Sequence, residues 1–120
     1  MEINAKDYCI RYDANSKTIV FQGILMLRGS KEYEGVLQLL RDIAEQSESL
    51  TLDLRDLKML NSSGINTLTR FVIETRDKQK SQLCMVGYEE IAWHEMLFNN
   101  LQRLMPNLQS QLLSSTTSNL

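Results

Sequence analysis

Leu52-Asp53-Leu54-Arg55-Asp56-Leu57-Lys58-Met59-Leu60-Asn61-Ser62-Ser63-Gly64-Ile65 contains the transition that decides the fold. Leu50, Leu52 and Leu54 alternate with Thr51, Asp53 and Arg55, and this period of two predicts a strand with one apolar and one polar face. Beyond Asn61-Ser62-Ser63-Gly64 the set Ile65, Leu68, Phe71, Val72 and Thr75 falls at helical spacing. Arg76, Lys78 and Lys80 lie near the end of that helix, where its dipole favours positive charge. A strand thus hands over to a helix across four small or polar residues, the place where α/β proteins present functional groups.

Upstream, Tyr8, Ile10 and Tyr12 alternate with Cys9, Arg11 and Asp13, which reads as a strand, and Asp13-Ala14-Asn15-Ser16 is turn chemistry. Thr18–Phe21 and Ile24–Leu27 read as a second strand, antiparallel to the first, with Gly23 at a bulge or bend. Gly29-Ser30 breaks it and offers Ser30 as a helix N-cap. Val36, Leu37, Leu40, Ile43 and Ala44 predict an amphipathic helix over about 31–46. Downstream, the apolar run Leu83–Val86 reads as a strand ended by Gly87. Trp93, Met96, Leu97, Leu101 and Leu104 mark a helix stopped by Pro106, and Leu108–Leu113 adds a last weak strand or turn.

The order predicts an α/β protein, a mixed sheet of four to five strands with about three helices. The βαβ unit at its centre requires parallel strands. The polar residues Thr51, Asp53 and Arg55 argue against a sheet covered on both sides, so the helices are expected mainly on one face. A chain of 120 residues is expected to form one domain over 1–113, with a flexible Ser/Thr-rich tail over 114–120.

Composition narrows the function. Hydrophobic content is 42%, charged content 23% and net charge −2, with no basic stripe, which argues against nucleic acid as the main partner. No apolar run reaches the length of a membrane span, and the N-terminus lacks a signal-peptide pattern, so a cytoplasmic location without membrane contact is expected. Cys9 and Cys84 lack metal-ligand spacing and read as reduced, buried small hydrophobes. No Gly-rich phosphate loop is present, and the carboxylates Asp53, Asp56, Glu89 and Glu90 read as solvated faces. A serine hydrolase would pair Ser62 or Ser63 with His94. Leu60 stands where the nucleophile elbow needs glycine, and His94 reads as a surface residue. Trp93, Met96 and Leu97 fit either a core or a docking patch, with core favoured. No catalytic residue, metal or cofactor is expected.

At Asn61-Ser62-Ser63-Gly64 two readings stand. Ser, Asn and Gly are ordinary capping residues. A helix start also favours an anion, and a phosphoserine there would add roughly −1.5 to −2 charges.

The stretch from Leu52 to Ile65 resembles the signature of the STAS superfamily: an apolar strand ending in Asp-Leu, then an apolar residue, then Asp-Ser-Ser-Gly followed by Ile or Leu. The element order agrees from about Tyr8 to Leu104. The run Asn61-Ser62-Ser63-Gly64-Ile65-Asn66 is also similar to a cyanobacterial subgroup of these small regulators. The resemblance implies a STAS-like fold and a non-enzymatic switch of the anti-sigma factor antagonist type. Ser62 would be phosphorylated, and Ser63 would be the capping group. Asn61, Ser62, Ser63, Gly64 and Ile65 would form the partner-binding site, with Gly64 keeping the approach open. The implied partners are an anti-sigma-type serine kinase and a serine phosphatase, with the chain a monomer or weak dimer. Asn61 stands where the family carries an acidic residue. Ile24, Leu25 and Met26 follow Gly23, where antagonists often carry an acidic pair. The alternative within the same fold is a constitutive scaffold or dimerisation module.

Overall fold

In the computed structural model, which describes residues 1–115, the alternation around Leu52 becomes the centre of a mixed sheet. The described residues form six strands and four helices: β1 (Glu2–Asn4), β2 (Tyr8–Asp13), β3 (Thr18–Leu25), α1 (Gly29–Glu32), α2 (Glu34–Glu45), β4 (Ser49–Leu60), α3 (Ser62–Lys78), β5 (Gln82–Tyr88), α4 (Ala92–Leu104) and β6 (Gln109–Leu113). The spatial order of the strands follows the chain, β1 to β6. β1, β2 and β3 are antiparallel; β3, β4, β5 and β6 are parallel. Each parallel crossover advances one strand in the same direction. Uniform right-handed crossovers then place every connecting helix on one face.

Burial agrees. Ile10, Ile19, Phe21, Leu50, Leu52, Leu54, Leu83 and Met85 point into the core, while the alternate positions Val20, Gln22, Thr51, Cys84 and Val86 are half-exposed. Leu40, Ile43, Leu68, Phe71, Val72, Phe98 and Leu101 close the helix layer over them. One bidentate pair from Arg41 to Glu74, with hydrogen bonds of 2.7 and 2.6 Å, pins α2 to α3.

Several expectations change in detail. β1 adds a sixth strand; three residues are too few to show a period. The helix expected over 31–46 is divided into α1 and α2 by a turn at Tyr33 (φ −89°, ψ −2°), whose ring enters the core. Ser30 does not cap: it lies inside α1, behind Arg28. Cys9 and Cys84 are free and half-buried, not buried. The bend at Gly23 is present. Its φ of +92° lets the Ile24 N–H reach the Asp7 carbonyl at 2.8 Å, where a Cβ would strike that same carbonyl. No helix among the described residues is long and apolar enough to cross a membrane. Of the expected tail, Ser114 and the Ser115 N–H bond to Glu90 at 3.0 and 3.1 Å, and 116–120 lie outside the described residues.

Candidate functional site

The site begins where β4 ends. Asn61 is extended (φ −83°, ψ 176°), so its side chain folds back over the first turn of α3 and Oδ1 accepts the Gly64 N–H at 3.0 Å. The cap is therefore Asn61 and not Ser63, because Ser62 and Ser63 already have helical backbone. Ser62 is exposed. Its hydroxyl makes no hydrogen bond among the described residues. Ser63 is half-buried and its carbonyl accepts from the Thr67 hydroxyl at 2.8 Å.

Asn61 is held from three sides. Its Nδ2 donates to the Leu27 carbonyl at 2.7 Å, and its own N–H reaches the Leu25 carbonyl at 3.4 Å. Its Oδ1 also lies 2.6 Å from the Tyr33 hydroxyl. That hydroxyl has a second acceptor in the Leu25 carbonyl at 3.1 Å and accepts the Leu27 N–H at 3.3 Å. Burial pushes the Tyr33 pKa up, so the hydroxyl keeps its proton across the neutral range. The knot ties the end of β3 to the start of α3.

Gly64 is buried. A Cβ there would meet the Leu60 side chain and, at 2.7 Å, the Tyr33 hydroxyl. Its small size serves the packing of Tyr33, and its N–H is already taken by Asn61. Ile65 is half-buried against the core. Of the five expected contact residues, Ser62 is exposed, Asn61, Ser63 and Ile65 are half-buried, and Gly64 lies beneath the surface.

An apolar patch lies where β3 and β4 end, just before the chain enters α3 at Ser62. Ile24 and Met59 pair across β3 and β4 on the face away from the helices, 42% and 49% exposed, and Met26 is 50% exposed just beyond. Ile24 and Met26 occupy the segment after Gly23 where the resemblance would place acidic residues. On the other side of Ser63, a groove of about 300 Å³ runs between α2 and α3, lined by Ser30, Glu34, Leu37, Ser63, Asn66 and Arg70 among others.

The remaining chemistry-bearing residues are committed elsewhere. His94 is fully buried, not on the surface. Its Nδ1 accepts the Tyr88 N–H at 3.0 Å, and its ring lies against Phe98 and Gly87. It is therefore no base for Ser62 or Ser63. Burial pushes its pKa down, opposed by the Leu57 carbonyl and the Asp53 charge, and Nε2 has no well-formed hydrogen bond among the described residues. Burial alone would raise the Asp53 carboxyl, but contacts from the Arg55 guanidinium (3.0 and 2.8 Å) and N–H (3.0 Å) hold it below the ordinary range. Trp93 packs partly buried against the core, with Met96 exposed. No group of His, Cys, Asp or Glu that could hold a metal exists among the described residues.

The architecture is shared with solved structures of a bacterial regulatory protein. The chain is similar to SiaC of Pseudomonas aeruginosa, at 15% identity and a TM-score of 0.63 over 95% of this chain and 96% of that one. It matches apo-SiaC of the same organism at 15% identity and 0.68, over 94% and 98%. A chain from the complex of the P. aeruginosa diguanylate cyclase SiaD with its activator SiaC matches at 14% identity and 0.67, over 94% and 99%. At these identities the likeness is one of fold. No protein-family model matches the sequence, and no curated protein matches it significantly.

Proposed function

We propose that this chain is a non-enzymatic, partner-binding switch of the STAS type, controlled by phosphorylation of Ser62. The carrying observation is the division of labour at the start of α3: Asn61 caps the helix, and Ser62 is left exposed, its hydroxyl bonded to no described residue, just past the strand end where Met59 pairs with Ile24. Ser62 is not the cap, so its hydroxyl is open to solvent and to a modifying enzyme. A phosphoryl group there lies at the positive end of a 17-residue helix, which at an exposed position stabilises it by about 0.3–1 kcal/mol. The same charge loses its water when an apolar partner surface covers it, and that desolvation weakens docking. A cost of about 1.4 kcal/mol already lowers affinity tenfold.

The partners proposed from the resemblance are an anti-sigma-type serine kinase and a serine phosphatase, in a bacterial, cytoplasmic pathway that regulates transcription. The cyanobacterial branch is suggested by Asn61–Asn66. The likeness to the SiaD–SiaC complex favours a second target class, a diguanylate cyclase, since the activator in that complex meets one. The test is intact-mass measurement of the chain isolated from its native cells. Wild type is expected to carry an added mass of about 80 Da, one phosphoryl group, that is absent from Ser62→Ala. Phosphate mapping to Ser63 and never to Ser62 overturns the assignment.

A further inference from the structure

We propose that the Tyr33 hydroxyl, acting through Asn61, transmits the charge state of Ser62 to the backbone around Met26. The inference rests on the reading of Ser62 as the phosphoacceptor and adds the route by which its charge reaches the docking patch.

Two hydrogens in the knot each have a second possible acceptor. The Gly64 N–H is bound by Asn61 Oδ1 at 3.0 Å. An anion on the Ser62 side chain competes for the N–H groups of the first helical turn, this one included. The Tyr33 hydroxyl has one proton and two acceptors, Asn61 Oδ1 at 2.6 Å and the Leu25 carbonyl at 3.1 Å. When Asn61 gives up Gly64, its amide is held by two side-chain contacts in place of three, and any turn of the amide shifts both. These are Nδ2 on the Leu27 carbonyl and Oδ1 on Tyr33. The Tyr33 proton then settles on Leu25, and the hydroxyl moves away from the Leu27 N–H that it accepts at 3.3 Å.

Both changes are exchanges between discrete partners, which is the two-state element that coupling requires. They converge on Leu25 and Leu27, the residues on either side of the exposed Met26. Tyr33 is a positioning residue here: it touches no partner, being 1% exposed, and acts through the strand end that carries the patch.

The experiment is residue-resolved amide hydrogen exchange by NMR on the full chain. Ser62→Asp serves as the charge, in the wild-type and Tyr33→Phe backgrounds. In wild type, Ser62→Asp is expected to speed exchange of the Leu27 N–H at least threefold. In Tyr33→Phe that N–H is already fast, for want of its acceptor, and Ser62→Asp adds nothing. Leu52 and Met85, in the central strands, stay unchanged throughout and report an intact fold. Should Tyr33→Phe fail to fold, Asn61→Ala breaks the relay at its other member and is expected to abolish the response equally. A Leu27 amide indifferent to Ser62→Asp in wild type, or equally responsive in both backgrounds, overturns the proposal. No kinase enters the measurement. Absence of phosphate in cells would therefore remove the phosphorylation reading alone, and an unresponsive Leu27 would remove the coupling alone.

Discussion

Asn61 Nδ2 donates to the Leu27 carbonyl at 2.7 Å, a contact that a carboxylate at position 61 cannot make. The STAS resemblance puts an acidic residue at this position, and the geometry gives a local reason for the amide. Asn and Asp cap helices about equally well, so the capping contribution cancels between them. An aspartate gains up to ~1 kcal/mol from the helix dipole but leaves a half-buried carbonyl unpaired and faces it with negative charge, at about 1–3 kcal/mol. Asn61→Asp is therefore expected to lose about 1–2 kcal/mol in urea unfolding at neutral pH. Wild-type stability in that variant would show that the Leu27 contact contributes nothing.

Gly64→Val is expected to lose at least ~2 kcal/mol. The new side chain meets Leu60 and the Tyr33 hydroxyl, and overpacking of this kind costs about 1–3 kcal/mol, which outweighs the few tenths of a kcal/mol by which valine is the better helix former than glycine. Sequence reading expects this position to matter for partner access. The burial of Gly64 makes it a determinant of stability, and a thermal melt of the variant decides between the two.

His94 sets an acid limit. Its folded pKa lies below the ordinary 6.5, so the unfolded chain binds the extra proton first as pH falls. The contribution to stability is complete above about pH 6.5 and is lost as pH drops below that value towards the lower folded pKa, with a slope of at most ~1.4 kcal/mol per pH unit. Unfolding free energy is expected to decline between pH 7.5 and 5.5 in wild type and to flatten in His94→Gln. Identical slopes in the two proteins would contradict this.

The helix is expected to survive the charge. Ser62→Asp places a carboxylate in the first turn of α3, where the dipole favours it. Far-UV circular dichroism of the variant should match wild type. A large loss of helical signal would replace local switching with an order–disorder mechanism.

The sheet and its helix layer were legible wherever a pattern ran long enough. Leu50, Leu52 and Leu54 announce β4, and Leu68, Phe71, Val72 and Thr75 announce α3. The strand-to-helix handover at Asn61-Ser62-Ser63-Gly64, where the site is proposed, was legible too. Which residue caps the helix was not, since Asn61 and Ser63 are both good capping types. The choice is made by Tyr33 and Leu27, 28 and 34 positions away in the chain. His94 could have been found: it shares a helical face with Leu97, Phe98 and Leu101, the residues buried beside it. Gly64 likewise falls in line with Leu68, Phe71 and Thr75. In both cases residue type obscured what the spacing said.

The central claim is that phosphate on Ser62 releases a partner by local charge. The most direct test is the affinity of one co-purified partner, measured by calorimetry, for the chain phosphorylated at Ser62 and for the unmodified chain. The expected result is a fall of at least tenfold, about 1.4 kcal/mol, with Ser62→Asp falling part of the way. Equal affinity in all three would contradict the switch and leave a constitutive scaffold of the same fold.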